Sequence, residues 1–165
     1  MGGPEYYTYY QSPLGVIKIG GNDSVISEVL FVEEADYSQP GYQTTDLLAM
    51  CVEQLIEDFN GERLVFDVPV YQQGTPFQNR VWSELLNINY GKTISYMDLA
   101  KRLGDPKVIR AAASSNGKNN IYIIVPCHRV VGSNNSLVGY AGGLHRKKWL
   151  LQLEMKIANG VQTLF

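Results

Sequence analysis

The sequence predicts an α+β protein in two parts: a small antiparallel sheet with one helix, then a mostly helical half containing a helix-turn-helix. Three observations point there. Strand-like alternation is confined to residues 6–33. Helical periodicity dominates from Thr75 onward. The charge reverses at the same place: residues 1–75 carry 12 Asp and Glu against 2 Lys and Arg (−10), and residues 76–165 carry 4 against 12 (+8). The expected boundary is YQQGT (71–75), giving units 1–74 and 75–165. With 45% hydrophobic and 18% charged residues, the 165-residue chain has the composition of a globular protein.

The first unit reads as a three-stranded meander. YYTYYQ is aromatic and β-prone, SPLG is a turn, VIKIG alternates, GNDS is a second turn, and VISEVLFV is the third run. Residues 34–45 read as an irregular connection. Leu47, Leu48, Cys51, Leu55 and Phe59 then recur at helical spacing, and Asn60-Gly61 closes that helix. Cys51 falls on its apolar stripe and is expected to be an inert core thiol. LVFDVPV (64–70) reads as one more short strand.

In the second unit Thr75 is an N-cap with Pro76 at the first helical position. Phe77, Val81, Trp82, Leu85 and Leu86 form an apolar face reaching about Ile88. Ser95 and Asp98 form a capping-box variant that opens a second helix through Leu99 and Leu103. Gly104-Asp105-Pro106 turns the chain into a third helix, expected over about Pro106–Ser115. Helix, tight turn, helix is the pattern of a DNA reader, and also of many bundles. Arg110 heads a run of small residues, Ala111 to Ser115, that allows close approach to a groove or to another helix. A final helix is expected from about His145 to Ala158, burying Trp149, Leu150, Leu153 and Ile157.

The chemistry concentrates in YIIVPCHRVVG (122–132). An apolar, strand-like run stops at Pro126; Cys127, His128 and Arg129 follow. The thiolate is the reactive form of cysteine, and a histidine can take the proton, directly or through water. Neighbours on an extended strand face opposite ways, so a bridging water or a turn must link His128 to the sulfur. Among the few carboxylates of this half, Glu154 sits at a spacing that lets it reach inward and orient the imidazole. On pattern alone the alternative stands open: a core cysteine beside a structural histidine. Cys51, Cys127, His128 and His145 show no zinc spacing, so no metal is expected. The N-terminus lacks the basic and apolar regions of a signal peptide, and no apolar run is long enough for a bilayer, so a cytoplasmic or nuclear location is expected.

VPCHRVV, followed by GYAGG (139–143) and LLQLE (150–154), resembles the O6-alkylguanine-DNA alkyltransferase family. TPFQNRVW and YGKTISYMDLAKRLG upstream agree, so the resemblance runs from about Thr75 to Glu154. It implies a ribonuclease H-like first domain and a winged-helix-like second one. It also implies a DNA repair protein that flips O6-alkylguanine out of the duplex and transfers the alkyl group, once and irreversibly, to its own cysteine. By resemblance Cys127 accepts the alkyl group, held ready as an anion; His128 is the water-mediated base, Glu154 orients it, and Asn119 braces the turn. Arg110 fills the gap left by the flipped nucleotide, Tyr96 lies near the phosphate, and Ala111, Ser114 and Ser115 face the groove. Tyr140, Val130, Ala141 and Gly142 line the base pocket. The partner is double-stranded DNA, the protein is a monomer, and no cofactor is needed. The chain departs from the family at Ala112-Ala113, where Val-Gly is usual, at Asn120, where proline is common, and at Ala141, where some members carry serine. Three other readings compete: a non-repairing damage sensor, a regulator that senses alkylation through Cys127, and a Cys-His-Glu hydrolase.

Overall fold

The structure is a computed structural model and describes residues 4–33 and 44–160. The chain divides into two compact units between Gln73 and Gly74.

The first unit is an antiparallel sheet in the order β1 (Tyr6–Ser12), β2 (Gly15–Gly21), β3 (Ile26–Phe31). Ser12 pairs with Gly15 across the first turn, where the Ser12 hydroxyl donates to the Gly15 carbonyl at 2.6 Å. β2 is central, and its Val16, Ile17 and Ile19 are buried. Helix α1 (Asp46–Phe59) covers the sheet. Thr45 caps it by accepting from Leu48 N, and Gly61, at φ 75°, ends it in the left-handed region that glycine tolerates. The connection expected at 34–45 lies almost wholly outside the described residues.

LVFDVPV does not form the expected strand. Val70 makes a single parallel bridge to Ile26, while Leu64 and Val65 are exposed. Pro69 has no N–H to extend a ladder.

In the second unit, α2 (Pro76–Leu85) and α3 (Tyr96–Arg102) both pack on α4 (Ile109–Gly117). Two capping boxes start the first two of these helices. Thr75 accepts from Gln78 N while the Gln78 side chain returns to Thr75 N, and Ser95 does the same with Asp98. The third helix starts later than the spacing suggests. Pro106–Val108 form a 3-10 turn capped by Asp105, and the α-helix runs from Ile109 to Gly117. The α3–turn–α4 unit is the expected helix-turn-helix. A two-residue parallel pair, β4 (Ile94–Ser95) with β5 (Val130–Val131), ties the start of α3 to the chain just past the Cys-His pair.

The last helix, α5 (Leu144–Asn159), buries a different face from the expected one. Lys147, Leu150, Leu151, Glu154 and Met155 point inward, and Ile157 is exposed. A hydrophobicity pattern cannot choose this face, because two of its buried members are charged and are held by hydrogen bonds. Among the described residues no helix is long and apolar enough to cross a membrane.

Candidate active site

The run before the cysteine is not a strand. Ile121–Val125 coils on itself: Val125 N donates to Ile121 O at 3.0 Å and Cys127 N to Val125 O at 2.8 Å. Asn119 substitutes for a neighbouring strand. Its Nδ2 donates to Ile121 O and Val125 O, and its Oδ1 accepts from Ile121 N. Local side-chain bonds of this kind outcompete sheet pairing. Ile123 is forced to φ 74°, a left-handed conformation that is costly for a β-branched residue, by about 1–3 kcal/mol. The strain sits four positions before Cys127.

Pro126 then leads into a 3-10 turn, Cys127–Arg129, so these three residues are not extended and do not alternate between faces. The whole stretch from Ile121 to Val131 is buried. Asn119 Nδ2 also reaches Cys127 Sγ at 3.2 Å. The sulfur faces a cavity of about 100 Å³, shared with Tyr96, Asn116, Tyr140 and Ala141. Ala113, Gly117 and Gly139 complete its wall.

The two residues that follow the cysteine enter a buried charge network. His128 Nε2 is 2.7 Å from Glu154 Oε2. Arg129 Nε donates to Glu154 Oε1 at 2.8 Å, its Nη2 donates to Oε2 at 3.1 Å, and its Nη1 donates to Ile88 O at 2.7 Å. Burial works against the Glu154 charge, but His128 and Arg129 outweigh it and hold the carboxyl down at about 2. The carboxylate is therefore ionised and accepts the proton on Nε2. Burial lowers the His128 pKa, partly offset by Glu154. The neutral tautomer with hydrogen on Nε2 leaves a lone pair on Nδ1, which is buried and hydrogen-bonds to no described residue.

Burial pushes the Cys127 thiol up to about 11, opposed by the Asn119 hydrogen bond and the Lys147 charge. This departs from the expectation of a resting anion: near neutral pH the sulfur is protonated.

Lys147 was not visible as a site residue from patterns. It is fully buried, and its Nζ donates to the carbonyls of Val130, Val138 and Gly139 at 2.7–3.1 Å. Burial drives its pKa down to about 8. The available signal was its position, two helical turns before Glu154. Asn116 and Ala113 were missed as well; their signal is the three-residue spacing that puts both on one face of α4.

The remaining expected residues divide. Arg110, Ala111 and Ser114 are exposed on α4. Ser115 is not: it is 5% exposed, and its carbonyl accepts from Trp82 Nε1 at 2.9 Å, which turns it into the unit and away from any groove. Tyr96 donates its hydroxyl to Val138 O at 3.0 Å. Tyr140 packs on Tyr122, with ring centroids 5.7 Å apart, and its buried hydroxyl has no partner among the described residues. Val130 and Gly142 are buried but do not line the cavity. Val130 is occupied in β5 and by Lys147. Lys101, Arg102, Lys107, Arg110 and Lys118 make the outer side of the helix-turn-helix basic. No cluster of three or more metal-ligating side chains exists among the described residues.

Two family models match the chain. Residues 76–156 match the 6-O-methylguanine DNA methyltransferase DNA binding domain, and residues 5–72 match its ribonuclease-like domain. The methylated-DNA–protein-cysteine methyltransferase of Mycobacterium tuberculosis is 42% identical over 162 residues, covering 97% of this chain and 98% of that protein. The constitutive enzyme of the same name from Bacillus subtilis is 41% identical, covering 90% and 94%. Among solved structures, Mycobacterium tuberculosis OGT in complex with DNA superposes with a TM-score of 0.83 at 41% identity, covering 93% of this chain and 94% of that one.

Proposed function

The chain belongs to the 6-O-methylguanine DNA methyltransferase family, and from that membership we propose how its own residues carry the reaction. It is a DNA repair protein that moves the alkyl group of O6-alkylguanine in DNA to its own cysteine. In our reading Cys127 is the acceptor. The observation that carries this is Cys127 lining a cavity and followed in the chain by a neutral His128, whose Nε2 is tied to an ionised Glu154 and whose Nδ1 has no hydrogen-bond partner among the described residues.

The flipped base enters the cavity beside Tyr96, Tyr140 and Ala141. His128 Nδ1 takes the thiol proton through one water, and Glu154 stabilises the imidazolium that results. The sulfur attacks the alkyl carbon, so the S–C bond forms as the C–O6 bond breaks and the electron pair leaves on the purine. Burial raises the Tyr140 pKa well above 10, so its phenol stays neutral and donates a hydrogen bond to the developing anion. The proton on His128 finally neutralises the purine. The thioether has no leaving group, so each chain acts once.

Arg110, exposed at the start of α4, fills the space of the flipped nucleotide; Ala111 and Ser114 face the groove; Asn119 holds the sulfur in place. The site of action is wherever the DNA lies, the cytoplasm or, in a eukaryote, the nucleus.

The test is intact-mass measurement after mixing with duplex DNA containing O6-methylguanine. One methyl per chain is expected, with product stopping at equimolar amounts. Continued turnover points to a hydrolase, and binding without methyl uptake to a sensor; either rejects the proposal. Arg110→Ala is expected to slow repair of duplex DNA by about tenfold or more while leaving reaction with free O6-alkylguanine base unchanged. Equal losses on both would remove Arg110 from the flipping step.

A further inference from the structure

We propose that Asn116 reads the exocyclic amine of the flipped guanine, an inference that rests on the alkyl-transfer reading above. Asn116 lies in the last turn of α4, lines the cavity next to Cys127, and is 5% exposed. Its Nδ2 donates to the Cys127 carbonyl at 3.4 Å. The same side chain hydrogen-bonds Tyr96, whose hydroxyl already donates to Val138 O, so both neighbours call for the amide nitrogen on this side. The other atom, Oδ1, is then a buried acceptor with no hydrogen-bond partner among the described residues. A buried acceptor left unpaired is destabilising, and at a ligand cavity the partner that relieves it is the ligand.

The chemistry of the base makes that partner specific. Alkylation at O6 removes the proton from N1, so O6, N1, N3 and N7 are all acceptors. With N9 joined to the sugar, the amine on C2 is the base's remaining N–H donor. It is therefore the group that Oδ1 can accept from. Tyr140 supplies the complement: its unpartnered buried hydroxyl can donate to one of the ring acceptors. One orphan acceptor and one orphan donor on the cavity match one donor group and several acceptors on the base. Asn116 is thus a specificity residue that selects purines bearing a 2-amino group, and α4 contributes to base recognition as well as to groove contact.

The experiment compares single-turnover methyl transfer to the full-length protein from duplexes containing O6-methylguanine or O6-methylhypoxanthine. The second base has the same ether and a hydrogen in place of the amine. The wild-type protein is expected to react about tenfold faster with the aminated base. Asn116→Leu keeps a similar shape without the acceptor; it is expected to slow on O6-methylguanine until the two rates are nearly equal. Asn116→Ala gives the same readout should the leucine variant fail to fold. A wild-type ratio preserved in a folded variant, or a wild-type protein indifferent to the amine, overturns the assignment. Methyl recovered on Cys127 from either substrate keeps the alkyl-transfer reading intact whichever way the ratio falls. Its absence from both removes that reading and this inference with it.

Discussion

Each unit of the molecule holds one buried cysteine, and the two differ little in exposure. Burial pushes Cys51 up to about 12 and Cys127 up to about 11. What separates them is the company each keeps. Cys51 lies on the inner face of α1 with Leu48 and Leu55, and burial is the whole cause of its shift. Cys127 has an amide donor at 3.2 Å, the charge of Lys147, a neutral imidazole at the next position in the chain and an opening to a cavity. In our reading, reactivity is built from polar groups arranged around a buried sulfur, while an equally buried sulfur without them is core.

The strongest way to break this comparison is to remove each thiol in turn. Cys127→Ser is expected to take up no methyl from O6-methylguanine DNA, and Cys51→Ser to take up one per chain, both read by intact mass. Uptake by the first variant, or loss in the second, would invert the assignment.

A smaller effect sharpens the role of the charge network. Glu154→Gln leaves Arg129 buried without its counter-charge and weakens the hold on the His128 tautomer. Transfer is expected to slow about 100-fold and stability to fall by about 3 kcal/mol, read by rapid-quench kinetics and by the urea midpoint. An unchanged rate would take the carboxylate out of the proton path, leaving it as a structural anchor.

The smallest expected effect is on acid stability. The folded Glu154 pKa of about 2 lies below its ordinary value of 4.5. Its ionised form therefore stabilises the fold above about pH 4.5, and this contribution is lost as pH falls toward 2. His128, whose pKa is also lowered, pulls the same way from about 6.5 downward. The gap in melting temperature between wild type and Glu154→Gln should narrow steadily from pH 5 to pH 2. A constant gap would mean that Glu154 is not held ionised.

The parts of this arrangement that the sequence makes legible are those set by local rules. Thr75-Pro76, Ser95 with Asp98, and Asn60-Gly61 mark helix ends because capping involves residues only a few positions apart. The motif Cys127-His128 and the reach of Glu154 were legible as well. What stayed hidden depends on long-range polar contacts. The apolar run 121–125 looks like a strand until Asn119 takes over its backbone bonds. The inner face of α5 looks wrong by hydrophobicity because Lys147 and Glu154 belong to it. Ser115 reads as a groove residue until Trp82 claims its carbonyl.

That last contact has a practical side. The chain has two tryptophans, and one of them is wired to the helix that carries Arg110. The Trp82 indole is 5% exposed and bonded through Nε1 to the α4 backbone. Its emission wavelength and intensity depend on that bond and on its dry surroundings. A displacement of α4 that broke this bond would therefore change the emission of Trp82, with no attached dye.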